Sequence, residues 1–128
     1  MNPSALLAVF IGSGLGGVCR WVISCGIQNW LSKSIAFPAG TFVVNVLGCF
    51  LIGLFYGLID RGSILSPQVR LLLTVGLCGG FTTFSTFINE NYNLLASPST
   101  FATAALYTLA SLAIGLLMLY LGHLAVIS

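Results

Sequence analysis

The run Gly76-Leu77-Cys78-Gly79-Gly80-Phe81-Thr82-Thr83-Phe84-Ser85-Thr86-Phe87 lies in the middle of a long apolar stretch yet is poor in helix formers. Glycine inside a helix costs about 1 kcal/mol relative to alanine. Ser and Thr side chains compete for the backbone's own hydrogen bonds. The pair Gly79-Gly80, followed by Thr82, Thr83, Ser85 and Thr86, therefore predicts a helix interrupted midway. Carbonyls and amides freed by a break find no partner in lipid, so such breaks persist only where protein buries them or a hydrated cavity takes them. Freed carbonyls are hard oxygen ligands suited to a small cation. A kinked helix that holds no ion accounts for the same residues. Phe84 and Phe87 are three apart and share a face of the helix that resumes. Phenylalanine is at home against lipid, but its ring also has a positive edge. Edges aimed at a dehydrated anion could hold it without any net charge.

Around this run the chain reads as four apolar spans. A span needs about 20 apolar residues at a rise of about 1.5 Å each. The stretches 4–27, 38–59, 69–96 and 100–127 qualify, with the unusual run inside the third. Short links carry the breakers: Asn29, Ser32 and Lys33 in the first, Asp60-Arg61-Gly62 and Ser66-Pro67 in the second, Ser97-Pro98-Ser99 in the third. An even number of spans puts both termini on one side. Composition agrees. Of 128 residues 58% are hydrophobic and 5% charged, with a mean hydropathy of +1.08, whereas a soluble domain carries roughly 25% charged residues. Four basic and two acidic side chains cannot cover a globule in water. The expectation is an all-α membrane protein, one four-span domain over 1–128, with the third helix broken mid-membrane. There is no basic run to hold nucleic acid. The N-terminus has no positive segment before its apolar run and no small-x-small cleavage site, so it reads as the first span and not as a removed leader.

Three spans carry i, i+4 stripes, each one helix face: Ala8, Gly12, Gly16 and Arg20; Thr41, Asn45, Cys49, Gly53 and Gly57; Thr103, Tyr107, Ser111 and Gly115. Small residues let helices approach closely in lipid. The polar members ask for more. Asn45 lies mid-span, where a polar group without a partner is costly; it either bonds across helices or faces a wet path. Tyr107 and Ser111 share that ambiguity. The cysteines Cys19, Cys25, Cys49 and Cys78 form no metal-ligand spacing or disulfide framework and read as small packed thiols. Arg20 and Glu90 lie within spans near their ends, where charges are either functional or snorkelling. His123 reads as interfacial. No nucleophile with a paired base, phosphate loop or metal cluster occurs, so the chain is not expected to be an enzyme.

The run 76–87 resembles the signature of the Fluc (CrcB) fluoride channels. Pro38-Ala39-Gly40-Thr41-Phe42-Val43-Val44-Asn45 is similar to the start of that family's second span, and Gly16-Gly17-Val18-Cys19-Arg20-Trp21 to its glycine-rich first span. The likeness covers essentially the whole chain. It implies a passive channel that exports fluoride across the cell membrane of a bacterium, working as an antiparallel homodimer with two pores. A structural sodium at the dimer interface would take backbone carbonyls of Gly79 and Thr82. Phe84, Phe87, Asn45, Tyr107 and Ser111 would line the fluoride path, with Arg20 and Glu90 in a vestibule or gating role. The sequence departs from the pattern at Gly115, where a hydroxyl is expected, and at Ile88-Asn89-Glu90, where only the glutamate carries over. A different function for a four-span chain is proton-coupled export of organic cations, as in small multidrug-resistance transporters; that needs an embedded carboxylate, which the first span lacks. A third is a membrane anchor with no transport role.

Orientation follows the balance of Lys and Arg near the span ends. The side holding the termini and second link carries Arg61 and Arg70; the other carries Lys33 and, if it snorkels that way, Arg20. Two against two leaves no preferred orientation and predicts insertion both ways up. If Arg20 is buried and uncounted, two against one favours termini inside.

Overall fold

Asparagine, serine and proline set where the helices start. Asn2 Oδ1 accepts from the Ala5 N–H at 2.8 Å and caps the first helix, Pro3–Leu31. The second helix is Ala39–Asp60. Ser66 Oγ accepts from Val69 N–H and Pro67 opens the third span, Pro67–Leu95. Pro98 begins a 3₁₀ turn that leads into the fourth span, Pro98–Ile127. The computed structural model describes residues 1–31, 36–62 and 65–127; Ser32 and Lys33 of the first link lie outside them. All four helices are long and apolar enough to cross a membrane, and the chain is a multi-pass membrane protein. The first helix runs past its expected end at Ile27. Gln28 continues it, and its Oε1 accepts from Gly40 N–H at 3.1 Å, tying the first helix to the start of the second.

Glycines decide which helices touch. A methyl group at Gly12 or Gly16 would collide with the Leu72 or Leu77 carbonyl of the third span, and one at Gly80 would strike the Ser13 carbonyl. On the other side Gly53 faces the Leu119 carbonyl, Gly57 faces His123, and Gly122 faces the Phe50 carbonyl. Backbone lies on backbone at both seams, which only residues without a side chain permit. The first helix is thus laid against the third span, and the second against the fourth. Between the pairs sits an aromatic cluster, Phe87 with Tyr107, flanked by Phe37 and Phe42. The Phe87 and Tyr107 ring centroids are 4.9 Å apart. At one end of the second pair Asp60 Oδ2 meets His123 Nε2 at 2.9 Å, and Arg61 Nη1 donates to the Val126 carbonyl at 3.0 Å.

The third span is broken, but not at its glycines. Gly79 is helical, with φ −62° and ψ −39°. The break falls at Thr82 and Thr83, both extended, with φ, ψ of −91°, 158° and −148°, 122°. Close packing on the first helix explains Gly76 and Gly80 but not Gly79, and hydroxyls explain the break. Thr82 Oγ1 and the Thr82 N–H both donate to the Cys78 carbonyl, closing the first half. Thr83 Oγ1 accepts from Thr86 N–H at 3.3 Å and caps the second half, Phe84–Leu95. Leu72–Cys78, before the break, is wound as a π-helix, a form that is uncommon and concentrated near functional sites.

Candidate ion site at the helix break

Asn45 answers the break directly. Its Oδ1 accepts from the Thr83 N–H at 2.8 Å and its Nδ2 donates to the Thr83 carbonyl at 3.1 Å. The bond across helices, one of the two alternatives open in the sequence, is made, and Asn45 also lines the cavity beside the break. The bond has a consequence for the carbonyls. In an unbroken helix the Gly79 carbonyl would accept from Thr83 N–H, and the Thr82 carbonyl from Thr86 N–H. The first donor is turned to Asn45 and the second to Thr83 Oγ1. Both carbonyls lose their ladder partners, and Gly79 is exposed at the surface of the single chain.

Beside the break a cavity of about 390 Å³ is lined by Asn45, Cys49, Cys78, Phe84, Phe87 and Ser111 among others. None of its lining residues carries a formal charge. Ser111 Oγ is buried and has no hydrogen-bond partner among the described residues. A buried hydroxyl left unpaired costs free energy, so this one is poised for a guest that accepts a hydrogen bond. The two phenylalanines stand at the same mouth, ring centroids 6.1 Å apart, but in different settings. Phe87 is 9% exposed and packed on Tyr107; Phe84 is 74% exposed. Gly115, where a hydroxyl was expected, lies beside a thiol instead: a Cβ there would stand 3.3 Å from Cys49 Sγ.

Tyr107 and Ser111, one turn apart, have separate roles. Tyr107 is fully buried and donates its hydroxyl to Glu90 Oε1 at 2.8 Å, while Thr41 Oγ1 donates to Glu90 Oε2 at 2.8 Å. One carboxylate therefore joins the second, third and fourth spans. Arg20, half-buried, donates Nε–H to the Gly80 carbonyl at 3.1 Å, on the helical side of the break. Asn91 donates to the Phe87 carbonyl at 3.0 Å and accepts from Thr108 Oγ1 at 2.9 Å, which fixes the turn that carries Phe87. Thr41 was visible in a stripe without a role. Asn91 and Thr108 gave no signal, because a mid-helix Asn or Thr acquires meaning only from its neighbour across the packing. Among the described residues no group of three His, Cys, Asp or Glu side chains could hold a metal ion. A cation at this site would depend on backbone carbonyls.

Comparison with known proteins gives the family. A family model described as CrcB-like protein, camphor resistance (CrcB), matches residues 7–123. A fluoride-specific ion channel FluC of Phocaeicola vulgatus is 47% identical over 121 residues, covering 92% of this chain and 94% of its own length. One from Serratia proteamaculans is 46% identical over 124 residues, covering 97% and 94%. One from Flavobacterium psychrophilum is 41% identical over 114 residues, covering 89% and 90%. With a family model spanning nearly the whole chain and relatives this similar along their own full length, the chain belongs to the CrcB family.

Proposed function

We propose that the chain is a passive, fluoride-selective channel of a bacterial cell membrane, and not an enzyme. The observation that carries this reading is the unpaired Ser111 hydroxyl in an uncharged cavity bounded by the Phe84 and Phe87 rings. Fluoride is small and accepts short, strong hydrogen bonds. A narrow path of hydroxyl, amide and ring edges favours it over larger halides, whereas a wide pore built on rings of basic side chains would not discriminate so. The relatives are named for that ion. Protein purified alone and placed in liposomes releases fluoride freely and chloride far more slowly under the same gradient. Comparable release of the two ions overturns the reading. The proton-coupled exporter is not favoured, because the one carboxylate of the third span is tied to Tyr107 and Thr41. Release by the protein alone also disposes of a mere anchor.

The same resemblance supports an antiparallel dimer with a sodium ion held at the two breaks. Gly79 and Thr82 fit that role in this chain, since their carbonyls have lost their ladder donors and Gly79 faces outward. Two carbonyls fall short of the oxygen shell a hard cation needs; two from each of two opposed chains come closer. A fixed cation would also ease the approach of an anion. Crystals grown in sodium should carry cation density between the Gly79 carbonyls, absent when sodium is replaced by a bulky organic cation. A sodium-grown map at high resolution with nothing there refutes the site.

Opposed copies require insertion both ways up. Arg20 is half-buried and donates Nε–H to the Gly80 carbonyl, and it keeps its positive charge. The expected result is that paired C-terminal reporters, each active on one side of the membrane, both give signal. Signal from one alone excludes dual insertion, and cross-links between like ends exclude the antiparallel pair.

A further inference from the structure

The cavity at the break holds a second chemistry that a fluoride path does not use. Cys49 of the second helix and Cys78 of the third span both line it, and both are free thiols. The helix register brings both near the break. Gly48 lies against the Thr82 side chain; Cys49 is the next residue on its helix, and Cys78 is one turn before Thr82. Cys49 Sγ also borders Gly115 of the fourth span, so it stands where three helices meet. The other two cysteines, Cys19 and Cys25, are exposed on the first helix, away from this cavity.

We propose that Cys49 and Cys78 form a two-thiol site for a soft divalent cation that favours two sulfur ligands, mercuric ion being the type case, and that an ion held there plugs the path. Soft thiolates select soft metals. Zinc in a structural site takes four ligands in a tetrahedron, and beyond the two thiols the cavity offers neutral hydroxyls such as Thr74 and Ser111. Charge narrows the class further. Each thiol gives up its proton when it ligates, so mercuric chloride and two thiols yield a neutral bis-thiolate, two protons and two chloride ions. A neutral adduct leaves no uncompensated charge in an apolar cavity, whereas a monovalent ion with two thiolates would leave one negative charge there. The plugging half of this inference rests on the fluoride reading; the binding half does not.

Both halves are tested on the full chain with mercuric chloride alone as probe. In a Cys19→Ser/Cys25→Ser protein, native mass should rise by one mercury less two protons per chain. Fluoride release from liposomes should stop in wild type and in this double variant, and should return on adding excess dithiothreitol. Adding Cys49→Ser or Cys78→Ser should raise the mercuric concentration needed by more than the roughly 10–100-fold that loss of an outer metal partner costs. Two mercury ions per chain, each still carrying chloride, or unchanged sensitivity in both added variants, overturns the site. Wild-type protein that conducts no fluoride defeats the functional reading instead, and the mass measurement then still decides the site. The same measurement decides it if either added variant fails to fold.

Discussion

Replacing Asn45 by leucine abolishes fluoride release and lowers the melting temperature of the purified protein. Leucine fills similar space but leaves the Thr83 N–H and carbonyl without the partners they have at 2.8 and 3.1 Å. Each buried backbone group stripped of its partner costs about 1–3 kcal/mol, so the loss is on the order of 2–6 kcal/mol with both Thr83 groups unpaired and less where either finds water or another partner. The effect on release is larger than the effect on stability implies. Thr83 carries the hydroxyl that caps the second half of the span, and a free Thr83 N–H can return to the Gly79 carbonyl. The break would then close, and with it the geometry that places Phe84 and Phe87. Thermal unfolding and release per folded protein check the two parts separately. A leucine variant that melts and conducts like the wild type shows that the clasp does not hold the break open.

Phe84→Ile and Phe87→Ile each reduce fluoride release by on the order of tenfold or more, equal to about 1.4 kcal/mol of barrier. Isoleucine keeps the apolar character but has no positive ring edge. The two variants should part on stability. Phe87 is packed on Tyr107, and a change of shape in a packed site costs typically 1–3 kcal/mol. Phe84 is 74% exposed in the single chain, so Phe84→Ile should leave the melting temperature of a single chain nearly unchanged while release falls. That contrast separates a role in the path from a role in packing. If Phe84→Ile conducts normally, the ring-edge mechanism is wrong.

The fold was largely legible because lipid imposes simple rules. Span number followed from apolar length, and the glycine stripes of the first and second helices turned out to be the faces that touch. The break was legible only as a region. Gly79-Gly80 and the hydroxyls after them marked the stretch together; Gly80 serves as a contact with the first helix, Gly79 stays helical, and the interruption falls at Thr82 and Thr83, whose hydroxyls cap both ends. The π-helical stretch left no trace in the pattern of apolar residues. Of the candidate site, Asn45 and Ser111 were found as polar residues in the wrong medium. What each one does was not readable, since Asn45 is satisfied by a backbone 38 residues away while Ser111 is satisfied by nothing in the described chain. Glu90 had been noticed as a charge; its two hydroxyl partners come from helices whose register the sequence does not state.

The glycine seams make two stiff plates, the first helix with the third span as far as Phe81 and the second helix with the fourth, and Gly40 on the Ser24 carbonyl ties the plates together at one end. Contacts of main chain against main chain have no rotamers to adjust, so each plate can slide internally only by breaking its packing outright. Compliance is left to the strip between the plates, where side chains meet: Phe84, Phe87, Cys49 and Ser111. Widening for a passing ion is available from side-chain rotation, which for an exposed ring such as Phe84 takes picoseconds to nanoseconds, well before helices shift past one another, which takes microseconds or longer. The bore is thus set by a few torsion angles held in a rigid frame.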